Sequence, residues 1–479
     1  MMKFINQSAP DYELTYSDVF ILPANKTTLK SRMDVDTTTY DGLGLSTPII
    51  VANMNAVAGK RMAEITARRG AMTMLVQNLP IEKIRQTVNE IKSAHPIFET
   101  PITCHIDDSI QNIFNLISKR AHGTAVVIDE TKIPIGIFSK SDAEKADLFS
   151  AVGDVMNKDV ISFDYELDLR MMFDEMVRQR ISIAPVTKNN QLIGVVTKKG
   201  IIRSQLHKPT LDANGRLKVG VALGINEDIE ARVAALQKIG VDAILIDTAN
   251  GHQDRLLEAV RKARQVSSDI YIIAGTVVTA EGAKNIIEAG ANMAKVGIGA
   301  GATCITRMRT GVGRPQFSAV MECAKAAKQA GGYVLADAGI RHPRDVALAL
   351  AAGASCTMIG SWFAPTYESA TDILSDENGD YVEHYGMASS RAVLDRVKHQ
   401  DEFSKMQKAF FEEGSSHVKM YLKAGSESAE DIIDQIMSGL RSTCSYVDAH
   451  SLQELHEKAI IGIQSPSAYQ EGQSVSGNW

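Results

Sequence analysis

The residues best suited to covalent chemistry lie at positions 296–320, VGIGAGATCITRMRTGVGRPQFSAV. Gly297, Gly299 and Gly301 precede Cys304 there. Glycine accepts positive φ and lets a ligand approach the backbone, so the loop reads as polar and partly open. A thiolate in such a loop is a nucleophile; in a packed core the same residue is an inert hydrophobe. The residues alone leave both readings open for Cys304. Cys323 falls in an alanine-rich helical stretch and Cys356 in an apolar run, where the core reading holds, and Cys104 and Cys444 carry no motif. Two more apolar runs end in glycine, LADAG at 335–339 and IGS at 359–361. Such strand ends can hold phosphate on backbone N–H groups. Asp337 beside one of them can accept ribose hydroxyls, so the pair points to a nucleoside monophosphate.

These segments need a frame. From residue 217 onward, short apolar runs alternate with amphipathic stretches such as EDIEARVAALQKIG and PRDVALALAAG. The runs are 219–224, 243–247, 270–275, 293–299, 332–339 and 356–361; two more, TPIIVAN at 47–53 and AMTMLVQ at 71–77, precede them. Apolar runs without alternation are strands buried on both faces, and strand–helix alternation makes a parallel sheet. The sum is that of an α/β (β/α)8 TIM barrel, with an open doubly wound sheet as the alternative. In the barrel, the cysteine loop and the two glycine-ended runs lie at the strand ends that carry active sites.

Residues 95–206 interrupt the alternation, so the barrel is expected in two parts, 1–94 and 207–479. The insert holds a weak repeat: strand, helix, strand, strand, then a polar turn opening a helix. It resembles a tandem pair of CBS domains. In that family a Ser/Thr-x-x-Asp motif holds the ribose of an adenine nucleotide. The first copy has Ser139 and Asp142; the second has Thr197 but Gly200 in place of the acid. The other reading is an insert that only shapes oligomers.

Composition narrows the class. The chain has 479 residues, is 44% hydrophobic and 23% charged, and carries a net charge of -6. That suits a soluble globular protein and argues against a nucleic-acid or anionic-membrane surface. Five scattered cysteines without a CxxC pair argue against a disulfide framework or a structural zinc site. With no signal-like N-terminus and no membrane-length apolar run, the expected location is cytoplasmic.

Taken in order, LTYSDVFILP, GIGAGATCITR, LADAGI, MIGS, YGMASSRA and GLRSTCSYV resemble the IMP dehydrogenase/GMP reductase family over nearly the whole chain. The resemblance implies that Cys304 attacks purine C2, with hydride exchange to a nicotinamide cofactor. It implies proton handling near C2 by Thr306 and Glu413. It places ribose on Asp337, phosphate on Gly339, Gly360 and Ser361, and the base on the backbone of Met387 and Ala388. Asp247, Thr276, Gly297 and Gly299 would line the nicotinamide. Carbonyls of Gly299, Gly301 and Cys304 would hold potassium. The assembly would be a homotetramer or octamer, with an adenine or guanine nucleotide at the CBS module.

The family's dehydrogenase branch oxidises IMP with NAD and activates water with an adjacent Arg-Tyr pair on its flap. No Arg-Tyr dipeptide occurs in this chain; residues 386–422 contain Arg391, Arg396 and Tyr421, none adjacent. With DTANG at 247–251, Lys295 and TRMRTGVG at 306–313, this favours the reductase branch, GMP to IMP and ammonia with NADPH. Four positions depart from the pattern: Ala302 replaces a phosphate-binding serine, Thr276 a nicotinamide-contacting asparagine, Asn55 an acid, and Phe410 an arginine. The cofactor choice between NADPH and NAD is left open by them.

Overall fold

A computed structural model describes residues 2–473 except 6–9, 78, 118–120, 145, 397–400 and 412, and the side chains of residues 395 and 396 also lie outside the description. Eight parallel strands close into a barrel. In chain order they are β1 (Ile49–Val51), β2 (Met72–Leu75), β3 (Gly220–Leu223), β4 (Ala243–Asp247), β5 (Tyr271–Val277), β6 (Met293–Val296), β7 (Tyr333–Asp337) and β8 (Cys356–Ile359). The helices around them are α1 (Lys60–Arg68), α2 (Ile81–Ser93), α3 (Ile229–Ile239), α4 (Asp254–Val266), α5 (Ala280–Glu288), α6 (Gln316–Gln329), α7 (Pro343–Ala351) and α8 (Ala429–Tyr446). Closure, with β8 pairing to β1, excludes the open sheet.

The strands read as unbroken apolar runs because both of their faces are buried. Their inward side chains, among them Ile50, Met72, Leu245, Ile273, Met293, Leu335 and Met358, fill the barrel. Their outward ones pack against the helices in a larger core that includes Ile244, Ile272, Ala294 and Val334. A lid below the barrel comes from the N-terminal segment, where Tyr271 Oη donates to the Asp41 carbonyl at 3.0 Å. Strands Lys3–Phe4 and Val19–Leu22 flank Ile460–Ile463 in a small outer sheet, which ties the two ends of the described chain together.

Between α2 and β3 the chain forms two further three-stranded sheets. Ile102–Cys104, Thr124–Ile128 and Pro134–Ser139 make one; Phe163–Asp164, Ile183–Lys188 and Gln191–Thr197 make the other. Each contains one parallel and one antiparallel pairing, and each third strand runs into a helix, so the repeat seen in the sequence is a repeat of structure. After β8 a three-stranded antiparallel sheet (Ile373–Asp376, Gly379–His384, Val418–Tyr421) carries a flap over the barrel mouth. Among the described residues, no helix is long and apolar enough to cross a membrane.

Candidate active site

Cys304 is the partly exposed cysteine, while Cys104, Cys323, Cys356 and Cys444 are buried. Burial pushes the thiols of Cys104, Cys323 and Cys444 up to about 12 and that of Cys356 well above its ordinary range, so these four stay protonated at neutral pH. The inert reading fits them and not Cys304.

The Cys304 thiol donates to Thr306 Oγ1 at 3.2 Å, and the Thr306 hydroxyl donates to Glu413 Oε2 at 3.1 Å. Thr306 opens the short helix Thr306–Thr310 after β6, while Glu413 comes from the flap, so two distant segments must be held in register. Backbone bonds do this. Ile305 N–H donates to the Glu413 carbonyl, Glu413 N–H to that of Ala388, and Ser415 N–H to that of Thr303, at 3.0–3.1 Å. Gly386 N–H donates to the Ser415 carbonyl, and a Cβ on Gly386 would stand 3.2 Å from the Thr303 carbonyl oxygen. Met387 and Ala388 therefore lie against the cysteine loop.

The glycines before Cys304 serve close approach. Gly297 has φ +148°, and a Cβ there would stand 2.0 Å from the Asp337 carbonyl oxygen. Gly299 has φ +77° and makes room for the Arg307 side chain. The Gly301 carbonyl accepts the Cys304 N–H at 3.1 Å, closing the turn that presents the thiol. After β7, Ala338 and Gly339 are both left-handed, at φ +75° and +79°, a conformation that costs Ala338 and is held here by its surroundings. Gly339 packs against Tyr16 and Gln316; Gly360, after β8, lies against Met54, with Ser361 next to it. The segments assigned to ribose and phosphate thus sit at adjacent strand ends beside the cysteine loop.

At the mouths of β4–β7 Lys295 lies 2.7 Å from Asp247 Oδ1 and 2.9 Å from Asp337 Oδ2. Asn53 Nδ2 donates to the other Asp247 oxygen at 3.1 Å. Burial opposes the Lys295 charge, but Asp247 and Asp337 outweigh it and hold the ammonium above the usual lysine range. Burial pushes Asp337 up, against the pull of Lys295. Thr276 is buried behind Asp247: its N–H donates to the Thr248 carbonyl at 3.0 Å, and its own carbonyl accepts from Gly251 at 2.7 Å.

The profile of the IMP dehydrogenase / GMP reductase domain matches residues 13–474. The chain belongs to the IMP dehydrogenase/GMP reductase family. It is 48% identical to a GMP reductase of Mycobacterium tuberculosis over 481 residues, covering 100% of both chains. An inosine-5′-monophosphate dehydrogenase of Aquifex aeolicus is 34% identical over 453 residues, 93% of this chain and 92% of that one. Among solved structures, a cysteine-to-alanine variant of GMP reductase from Trypanosoma brucei in complex with guanosine 5′-monophosphate aligns with a TM-score of 0.68 and 28% identity, over 99% of this chain and 100% of that one.

Three residues of this family member escaped assignment to the site from sequence. Lys295 had a signal, a lone charge inside a four-residue apolar strand. Gln316, the first residue of α6, donates through Nε2 to the Val296 carbonyl at 2.8 Å and the Asp337 carbonyl at 3.0 Å, clamping the ends of β6 and β7; nothing local announced it. Asn53 was visible only as the last residue of the run TPIIVAN. The flap arginine and tyrosine have other partners: Arg391 reaches Glu383 at 2.8 Å and Tyr421 donates to Asp376 at 3.0 Å. The Arg396 side chain lies outside the described residues.

In the insert, Ser139 and Asp142 form a capping box, with Asp142 Oδ2 accepting from Ser139 N–H at 2.8 Å and Oγ at 2.6 Å. In the second half, Thr197 Oγ1 accepts the Gly200 N–H at 2.9 Å and donates to Glu99 Oε1 at 3.2 Å. A Cβ on Gly200 would stand 2.6 Å from that Glu99 oxygen. A carboxylate from another part of the chain occupies the space of the missing acid. Among the described residues no group of three or more His, Cys, Asp or Glu could hold a metal.

Proposed function

We propose that the chain reduces GMP to IMP and ammonia with NADPH through a covalent bond from Cys304 to purine C2. The observation that carries this reading is the thiol–hydroxyl–carboxylate line of Cys304, Thr306 and Glu413 at 3.2 and 3.1 Å. Along it the thiol proton passes through Thr306 to Glu413 as sulfur attacks C2. The same proton then goes from Glu413 to the departing C2 amine, which leaves as ammonia, and the purine stays bound as a thioimidate. The nicotinamide supplies hydride to C2 when bound. The C2–S bond then breaks, releasing IMP and a Cys304 thiolate, which takes up one proton from water to restore the thiol. One group that takes and returns a proton suits both halves of the amine step. The curated relative named GMP reductase, alike over its full length, supports the direction.

In this reading Asp337 takes the ribose, Gly339, Gly360 and Ser361 the phosphate, and Met387 and Ala388 the base. Asp247, Thr276, Gly297 and Gly299 line the nicotinamide; the partly exposed Asp247 carboxylate at the barrel mouth fits an amide partner. Carbonyls of Gly299, Gly301 and Cys304 would hold potassium. The insert is a tandem CBS module taking an adenine or guanine nucleotide at Ser139 and Asp142, and the protein works in the cytoplasm as a homotetramer or octamer. The IMP dehydrogenase alternative lacks support at the water step, because Arg391 and Tyr421 are paired elsewhere.

Purified protein mixed with GMP and NADPH should lose nicotinamide absorbance; gain with IMP and NAD would mean the opposite direction, and no change a nucleotide sensor. Cys304→Ala should abolish turnover while keeping GMP binding. Near-normal turnover by that variant would remove the covalent step.

A further inference from the structure

Lys295 stands in β6 between Ala294 and Val296, with only 7% of its side chain exposed. One of its two carboxylate partners, Asp337, is on the neighbouring strand. The other, Asp247, is two strands away. Asp247 pairs with Gly275, and Gly275 pairs with Lys295, so all three share one level of the barrel. The lysine reaches across because position 275 has no side chain; a Cβ there would stand 2.8 Å from the Lys295 Cβ. Asn53 and Lys295 together take both oxygens of Asp247, whereas Asp337 Oδ1 has no hydrogen bond among the described residues. A single buried ammonium therefore sets the position of two carboxylates, and neither can move or lose charge without changing what the ammonium offers the other.

We propose that Lys295 is a positioning residue that links the nucleotide and cofactor sites, by fixing the carboxylate that receives ribose hydroxyls together with the one beside the nicotinamide. This rests on the reductase reading and deepens it. Lys295 touches neither ligand in this account; it acts through Asp337 and Asp247.

The link predicts crossed effects. Asp337→Asn should weaken NADP+ binding, measured by calorimetry at saturating GMP, by about fivefold, a usual size for coupling between two sites. Asp247→Asn should weaken GMP binding, measured without cofactor, by a similar factor. Lys295→Met should weaken both, and Lys295→Arg should recover part of the loss. In the double variant Lys295→Met/Asp337→Asn the losses in GMP affinity should fall well short of adding, because the neutral amide no longer needs the cation. A lysine that merely props the fold would give additive losses and no crossed effects. If Lys295→Met does not fold, the two Asp→Asn variants still decide the matter. Crossed effects below twofold, or simple addition in the double variant, overturn the proposal. Turnover of GMP with NADPH by the wild-type protein separates the two ideas: its absence sinks the reductase reading, and its presence without crossed effects sinks only the role of Lys295.

Discussion

At the residue scale the site depends on protons having somewhere to go. Cys304 and Thr306 are two positions apart, so one turn of chain brings thiol and hydroxyl together; the glycine-rich loop marked Cys304 as a candidate nucleophile, while the role of Thr306 came from the family resemblance. Glu413 came from the same resemblance, because 107 residues separate it from Thr306. No periodicity reports a contact made by a folded-back flap. Glu413→Gln keeps shape and hydrogen bonding to Thr306 but cannot carry the proton. Its expected effect is a fall in kcat of about 100-fold or more, within the span of positioned acid–base groups. GMP affinity, read by calorimetry on the Cys304→Ala background, should change less than threefold by comparison, since the lost interaction belongs to the transition state. An equal fall in affinity and kcat would instead make Glu413 a binding residue.

At the element scale the strands explain which expectations were accurate. Apolar runs placed all eight barrel strands because burial on both faces keeps most polar residues out of them, with Thr73, Lys295 and Thr357 among the buried exceptions. The ends were less exact. The run at 293–299 extends three residues past β6, since glycines that look like a strand end already form the loop. β5 continues past Gly275 to Val277, where the pairing with β6 slips so that Val277 meets Val296. Sequence cannot show such a slip, which depends on the neighbouring strand. The loop that starts at Gly297 is where element geometry becomes function, because its backbone lies against the Asp337 carbonyl. Gly297→Ala would place a methyl into that oxygen at an unfavourable positive φ. It should cost about 1–3 kcal/mol, the range for strained backbone positions. Thermal unfolding would read the loss, and turnover should fall further than stability as the Cys304 loop moves from the ribose segment. A variant as stable and active as the wild type would mean the loop has slack that the geometry does not contain.

At the scale of the whole molecule the insert's attachment is ionic. Arg203, in the helix Lys198–Leu206, donates to Glu430 at 2.9 Å, Asp431 at 2.5 Å and Asp434 at 2.8 Å, all on α8 of the barrel. Arg69, next to the end of α1, holds the other oxygen of Glu430 at 2.5 Å, and His207 lies 3.0 Å from Asp434. Burial works against the Arg203 charge, but the opposing carboxylates outweigh it and make Arg203 the fixed cation of this joint. The sequence showed the repeat but not the joint, because its members are scattered from residue 69 to residue 434. Such a network adds little over an apolar contact while intact, yet removing one partner strands the others. Arg203→Met leaves Asp431 and Asp434 without their main partner, while Glu430 keeps Arg69. The expected cost is about 1–3 kcal/mol, below that of a fully buried broken pair, because the Asp434 side chain is 37% exposed and Glu430 keeps its other arginine. The cost should fall on docking and not on either unit's own core: hydrogen exchange should rise at Lys198–Leu206 and the start of α8, with the barrel strands still protected. Exchange rising evenly through β1–β8 would show that the joint supports the barrel itself, and the insert could not then be regarded as a unit hung on it.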